Sequence, residues 1–299
     1  MSSPSIHYPP YPSRRYAWFV VFLLIIASLV AFMDRQIVAI VVGPMQRDLG
    51  VGDTQIGWLY GIHALFYAFA AIPIASLADT RSRKHIIAIG VFFWSLMTII
   101  CGLTKNYTQI FIARIGVGVG EATLTPSTTS LIGDYFPRED VPLAMSIFQA
   151  GPIIGTGIAF IVGGFVLQLV EGASPLVLPI IGELVPWQQT FLYLGVPGIL
   201  LAVVMLLIRE PVRRPSESKI EGATNTEELI TFYRDNSKTI IFHHIGNLSL
   251  LMTGFAFVFW SITFFVRVHD MDASHASQIF GWIYIFFGPL GPLLIAYFA

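Results

Sequence analysis

The sequence predicts an all-α, polytopic membrane helix bundle, and three observations predict it. The chain has 299 residues, of which 55% are hydrophobic and only 12% charged, where a soluble domain carries about 25% charge. Apolar stretches of roughly 20 residues, enough helix to cross about 30 Å of hydrocarbon, recur along its length. Basic residues collect on alternate connections between those stretches, as the positive-inside bias of membrane proteins requires. The net charge of −1 leaves no polyelectrolyte character and nothing that points to nucleic acid. The single cysteine, Cys101, excludes an intramolecular disulfide and sits in an apolar run as a packing residue.

Residues 1–15 read as a polar, cytoplasmic tail without a cleavable leader. Residues 16–208 read as a six-helix bundle, with spans at about Ala17–Val42, Ile56–Ala78, Ile86–Leu103, Tyr107–Leu131, Pro142–Val170 and Gln189–Ile208. Residues 209–238 form a charged cytoplasmic linker in which Glu227–Tyr233 has the pattern of a short amphipathic surface helix. Residues 239–299 open a second bundle with two further spans, Thr239–Val266 and Ser277–Ala299, and the last run reaches Ala299 without a polar cap. The chain therefore reads as the front part of a longer protein.

With the N-terminus in the cytoplasm of an inner-membrane protein, the inner side holds Arg14, Arg15, Arg81, Arg83, Lys84, Arg138, Arg209, Arg213, Arg214, Lys219, Arg234 and Lys238. Only Arg47, Lys105 and Arg267 fall outside, and Arg35 and Arg114 lie within spans. Glycine and proline recur inside the helices, including Gly116, Gly118, Gly120, Pro126, Pro152 and Pro197, and Gly151 with Gly155 forms a GxxxG pair. Small residues allow close backbone approach and prolines introduce kinks, the make-up of a mobile bundle.

Four ionisable residues sit well inside spans: Asp34 and Arg35 in the first, Arg114 and Glu121 in the fourth. Each costs at least about 2.5–3.5 kcal/mol at mid-bilayer, so they must face a bundle interior or a watery cavity and compensate one another. Arg114 and Glu121, seven residues apart, project from one face about 10 Å apart. Fixing helix register is one use for such charges. The other is transport: carboxylates whose protonation can change, and arginines that grip an anionic group. A proton on Asp34 or Glu121 would release its arginine partner and so couple proton movement to solute movement. His63 in the second span can join a proton relay or pack as a hydrogen-bonded helix residue. No HExxH, GxSxG or cysteine pair points to an enzyme, a metal or a cofactor.

The loop after the second span reads Ala75-Ser-Leu-Ala-Asp79-Thr-Arg-Ser-Arg83-Lys84. It resembles the G-x-L-A-D-R-x-G-R-K motif of the major facilitator superfamily, with Ala75 and Ser82 in place of glycines and Thr80 in place of the first arginine. The run Phe111-Ile-Ala-Arg114-Ile-Gly-Val-Gly-Val-Gly-Glu121-Ala and the segment Leu131-Ile-Gly-Asp-Tyr-Phe-Pro137 resemble the Spinster-type branch. So do Asp34-Arg35 and Trp260 with Phe264-Phe265-Val-Arg267. Organic anion:proton symporters share the Asp-Arg pair and the Arg…Glu spacing. The resemblance implies a twelve-span transporter that works by alternating access, of which this chain holds one six-helix half and the first two helices of the next. It implies proton coupling at Asp34 and Glu121, and substrate-anion contact at Arg35 and Arg114. The cavity aromatics would include Tyr67 and Trp260 beside His63, and Asp79, Arg83 and Lys84 would form the cytoplasmic gate. The expected partners are a small organic anion or amphiphile, protons and the bilayer, with no obligate protein partner. A proton-independent facilitator, or a membrane scaffold or receptor derived from a transporter, is the alternative.

Overall fold

The computed structural model describes residues 9–174, 176–179, 182–214 and 226–290. The tail before Pro9, the linker residues Lys219 and Glu221 and the apolar end at Ala299 lie outside the described residues. The described chain is a multi-pass helical bundle, and six of its helices are long and apolar enough to cross a membrane. In order these elements are α1 (Arg14–Ile40), α2 (Val42–Leu49), α3 (Asp53–Thr80), α4 (Arg83–Gly102), α5 (Tyr107–Glu121), α6 (Leu124–Tyr135) and α7 (Val141–Glu171). A two-stranded antiparallel ribbon follows, β1 (Leu176–Leu178) with β2 (Gly182–Leu184), in the register Leu176 to Leu184. Then come α8 (Pro186–Leu207), α9 (Thr226–Asp235), α10 (Ser237–His269) and α11 (Ala273–Phe287).

The chain divides into two compact units. Of the described residues, the larger holds those within Pro10–Pro211 and from Ile262 on; the smaller holds Pro9 and those within Val212–Ser261. In the smaller unit α9 carries Ile230, Phe232 and Tyr233 on its exposed surface, and α10 contributes Trp260, whose ring meets Phe259 edge-on at 5.2 Å. In the larger unit α4 packs mainly against α8 and α5, α1 and α11 against α7, and α3 against α5.

Three features depart from the span pattern read off the sequence. The first apolar run ends at Ile40, and α2 is a separate amphipathic helix closed by Gly50 in the left-handed region at φ +64°. The connection after α7 contains the β1–β2 ribbon rather than irregular chain. The fourth span is two helices. Pro126, in the first turn of α6, has no amide proton to give and its ring excludes the carbonyl four residues back. The helix is interrupted at Ala122–Thr123, where the Thr123 hydroxyl donates to the Gly120 carbonyl. The break falls immediately after Glu121.

Glycine sets the helix spacing around that break. A side chain at Gly118 would place Cβ 2.4 Å from the His63 carbonyl oxygen of α3. One at Gly120 would stand 2.9 Å from the Trp94 amide nitrogen of α4. The triple-glycine run thus holds α5 against two neighbours by backbone contact, the arrangement small residues permit in membrane bundles. The GxxxG pair of α7 faces α1, Gly155 lying against Leu29 and Phe32, while Gly157 faces α11 at Gly281.

Gly118→Ala is therefore expected to lower stability by about 1–3 kcal/mol, the range for overpacking, because backbone cannot yield as a flexible side chain does. Gly133→Ala, where an added Cβ meets nothing within 4 Å, is the matched control. Thermal denaturation in detergent should separate the two variants; equal midpoints would show that α5 does not need its close approach to α3.

Candidate functional site

Three helices bring the intramembrane charges together. α1 supplies Asp34 and Arg35 one after the other, α5 supplies Arg114 and Glu121 two turns apart, and α3 supplies His63. Adjacent residues point about 100° apart on a helix, so Asp34 and Arg35 enter different surroundings. Arg35 Nε donates to Glu121 Oε2 at 2.6 Å. The carboxylate is fully buried while the guanidinium keeps 22% of its surface. His63 Nε2 lies 3.2 Å from the same oxygen. The guanidinium carbon of Arg35 sits over the rings of Tyr67 at 4.9 Å and Phe32 at 5.1 Å, within reach of cation–π attraction. The Tyr67 hydroxyl is 3.1 Å from the Thr125 hydroxyl on α6, which ties the aromatic wall to the far side of the helix break.

Asp34 and Arg114 occupy the enclosed side. Both are 0% exposed, and Arg114 Nη1 donates to the main-chain carbonyl of Asp34 at 2.9 Å. Neither carboxylate oxygen of Asp34 has a hydrogen-bond partner, nor have Nε and Nη2 of Arg114. Glu121 thus pairs with Arg35 across helices and not with Arg114 on its own helix. Arg114 braces the α1 backbone. Of the four charges only Arg35 reaches accessible surface.

Two further charge clusters close the ends of the larger unit. At the α3–α4 end the Arg83 side chain is 1% exposed. It donates from Nε to Glu210 Oε1 at 2.9 Å, from Nη1 to the Ser130 hydroxyl at 2.9 Å, and also to Asp134. The main-chain amides of Arg83 and Lys84 both donate to Glu210, and Lys84 Nζ donates to the Leu206 and Ile208 carbonyls. Asp79 is exposed nearby in sequence. Arg83 and Lys84 therefore bind α4 to α6 and to the end of α8. Glu210 was not singled out in the sequence because a lone glutamate after a span reads as an ordinary boundary residue; only the fold reveals that the start of α4 points its amides at it.

At the opposite end Arg267 clasps Asp53 with two hydrogen bonds, 2.6 Å to Oδ1 and 2.8 Å to Oδ2, and Gln46 joins both. A cavity of about 420 Å³ lies beside this clasp, lined among others by Arg47, Gln46, Glu171 and Asp272. It includes none of Asp34, Arg35, Arg114 or Glu121. Trp260 belongs to the smaller unit.

The Major Facilitator Superfamily model matches residues 24–299. The chain belongs to that superfamily. It is 24% identical over 286 residues to a probable L-galactonate transporter of Escherichia coli, covering 92% of this chain and 60% of that protein. It is 25% identical over 304 residues to protein spinster of Drosophila melanogaster, covering 96% of this chain and 48% of that protein. Among solved structures it is similar to a bacterial homologue of the human lysosomal transporter Spinster in an inward-facing, unoccupied conformation. The TM-score there is 0.79 at 28% identity, over 92% of this chain and 60% of that one. The chain thus spans about half to three-fifths of the length of these relatives. Its family and these relatives are transporters, not enzymes.

The Glu210 carboxyl lies outside the spans and is half-buried. Burial pushes it up, but hydrogen bonds from the Lys84 amide and from the guanidinium and amide of Arg83 outweigh that and hold it below the usual glutamate value. A depressed carboxyl contributes stability above its unfolded value, and the contribution is lost as pH falls through the folded one. Glu210→Gln is expected to lower the thermal midpoint at neutral pH, and the gap to wild type should shrink as pH drops below the ordinary glutamate range. A gap that stays constant with pH would show that the charge of Glu210 contributes nothing.

Proposed function

We propose that the chain belongs to a proton-coupled secondary transporter of a small organic anion or anionic amphiphile, working by alternating access in the inner membrane with its N-terminus in the cytoplasm. The observation that carries this reading is the Arg35–Glu121 pair: a partly accessible guanidinium held by a wholly buried carboxylate. As long as Glu121 is ionised it satisfies Arg35. A proton taken up by Glu121 turns that oxygen into a donor, and Arg35 then seeks a carboxylate or phosphate from outside, which it can grip through its forked donors. His63, at 3.2 Å from the accepting oxygen, would pass that proton in this scheme. Tyr67 and Phe32 would flank a bound anion with aromatic surface.

Asp34 is the second proton site in this scheme. Its carboxyl is enclosed and without a hydrogen-bond partner, so charge there is costly and protonation relieves it. Arg114, which holds the Asp34 carbonyl, would meet substrate only in a conformation that parts α1 from α5. Asp79, Arg83 and Lys84 are assigned to the cytoplasmic gate, with Glu210 and Asp134 as the partners of Arg83. The probable L-galactonate transporter named above is named for an organic anion, which supports the anionic class of substrate. A non-transporting receptor or a proton-independent facilitator is the competing outcome.

The complete protein in proteoliposomes tests this. Asp34→Asn should abolish the dependence of uptake on a pH gradient while exchange of labelled for unlabelled substrate survives. Arg35→Gln should weaken an anionic substrate at least about tenfold more than a neutral analogue, the scale of one lost charge-assisted pair. Gradient-driven uptake that is unchanged in Asp34→Asn would refute the coupling, and equal losses for both substrates would remove the anion role of Arg35.

A further inference from the structure

The cavity beside the Arg267–Asp53 clasp plays no part in the scheme above. It encloses about 420 Å³, within the range that small-molecule sites occupy. Residues of α1, α2, α7, α10 and the turn before α11 line it, all from the larger unit. Much of the wall is apolar, with Ile40, Val42, Ile262 and Val266. Arg267 and Gln46 are committed to Asp53 and to each other. Arg47 and Glu171 are not. Both line the cavity, yet among the described residues neither side chain has a hydrogen-bond or ion-pair partner. Asp272 stands in the same wall: its Oδ1 caps α11, accepting from the Ser274 and His275 amides and the Ser274 hydroxyl, and its Oδ2 takes none of these bonds. Thr263 is a second, independent mark. Hydroxyls within helices commonly return to the carbonyl one turn back, as Thr253 does to Ser249 and Ser261 to Phe257 on α10. Thr263 lines the cavity at 8% exposure, and its hydroxyl has no partner. A buried polar group left alone calls for a reason.

We propose that this cavity is a second ligand site, one that takes a zwitterion whose ammonium and carboxylate ends are joined by an apolar stretch. Opposite charges that share a cavity without pairing match a ligand that carries both signs. Arg47 grips the carboxylate through its forked donors. Glu171 and the free oxygen of Asp272 hold the ammonium, a compact charge with three donors. Thr263 adds a neutral hydrogen bond, and the apolar wall covers the methylenes between the charged ends. Two carboxylates stand against one uncommitted guanidinium, so the cavity keeps a negative excess and a simple anion does not match it. None of Asp34, Arg35, Arg114 or Glu121 lines it. The site therefore stands whether or not those charges move a proton.

The test is isothermal titration calorimetry of the complete protein in detergent, referenced to empty micelles, with 6-aminohexanoate, hexanoate and hexylamine as probes. These share a carbon chain and differ in charge. On wild type, 6-aminohexanoate should bind at least about tenfold more tightly than either probe of single charge, the scale of one charge-assisted pair. Arg47→Gln should weaken 6-aminohexanoate to the level of hexylamine, and Glu171→Gln should weaken it by a similar factor. Both substitutions fall on exposed side chains, so the thermal midpoints should match wild type; where one does not, the comparison of the three probes on wild type decides alone. Absence of saturable binding by 6-aminohexanoate overturns the site. So does equal affinity for hexanoate or hexylamine, or a folded variant of either residue that binds as wild type does.

Discussion

The ion pair between Arg35 and Glu121 is the constraint around which the larger unit is arranged. A carboxylate at membrane depth has no water to solvate it, and an unpaired one would be driven to neutralise. Here one oxygen of Glu121 accepts from Arg35 of α1 and lies 3.2 Å from the His63 ring of α3, so three helices meet at one carboxylate. Breaking such a pair from one side leaves the other charge uncompensated, a cost of roughly 3–5 kcal/mol. That cost is why the transport scheme proposed above brings its anion to this pair, where an incoming carboxylate would replace what Glu121 withdraws.

The local structure of α5 serves the same end. Glycines at 118 and 120 bring its backbone against α3 and α4, which delivers Glu121 to His63 without intervening side chains. The interruption at Ala122–Thr123 follows at once, so Glu121 is the last residue of its helix while α6 sets off independently with Thr125 and Pro126. A helix end is a place where small changes in backbone angle swing a side chain without disturbing the rest of the bundle. Charge, glycine packing and proline break are consecutive in sequence and act on one carboxylate.

Much of this was legible from the sequence. Hydropathy alone marked six long apolar helices among the described residues, because a polar backbone in lipid must be helical, and rarity alone marked the four charges. Which charge meets which was not legible. Sequence spacing places Arg114 and Glu121 on one face, yet the partner of Glu121 comes from α1, because pairing depends on how neighbouring helices are rotated. Glu210 and Asp134 escaped notice for the same reason: each is chemically ordinary until the fold sets it against Arg83. The α5–α6 break had a sequence signal in Pro126, but hydropathy runs straight through it. The β1–β2 ribbon left no readable signal in a stretch of mixed apolar residues.

The two end clusters differ in one respect with a physical consequence. Arg267 and Asp53 keep 46% and 53% of their side-chain surface, whereas Arg83 keeps 1%. Dissolved ions screen exposed charges and scarcely reach enclosed ones. Added salt therefore loosens the clasp on Asp53, as it loosens the exposed pair of Arg14 with Asp140, while leaving the enclosed guanidinium of Arg83 nearly untouched.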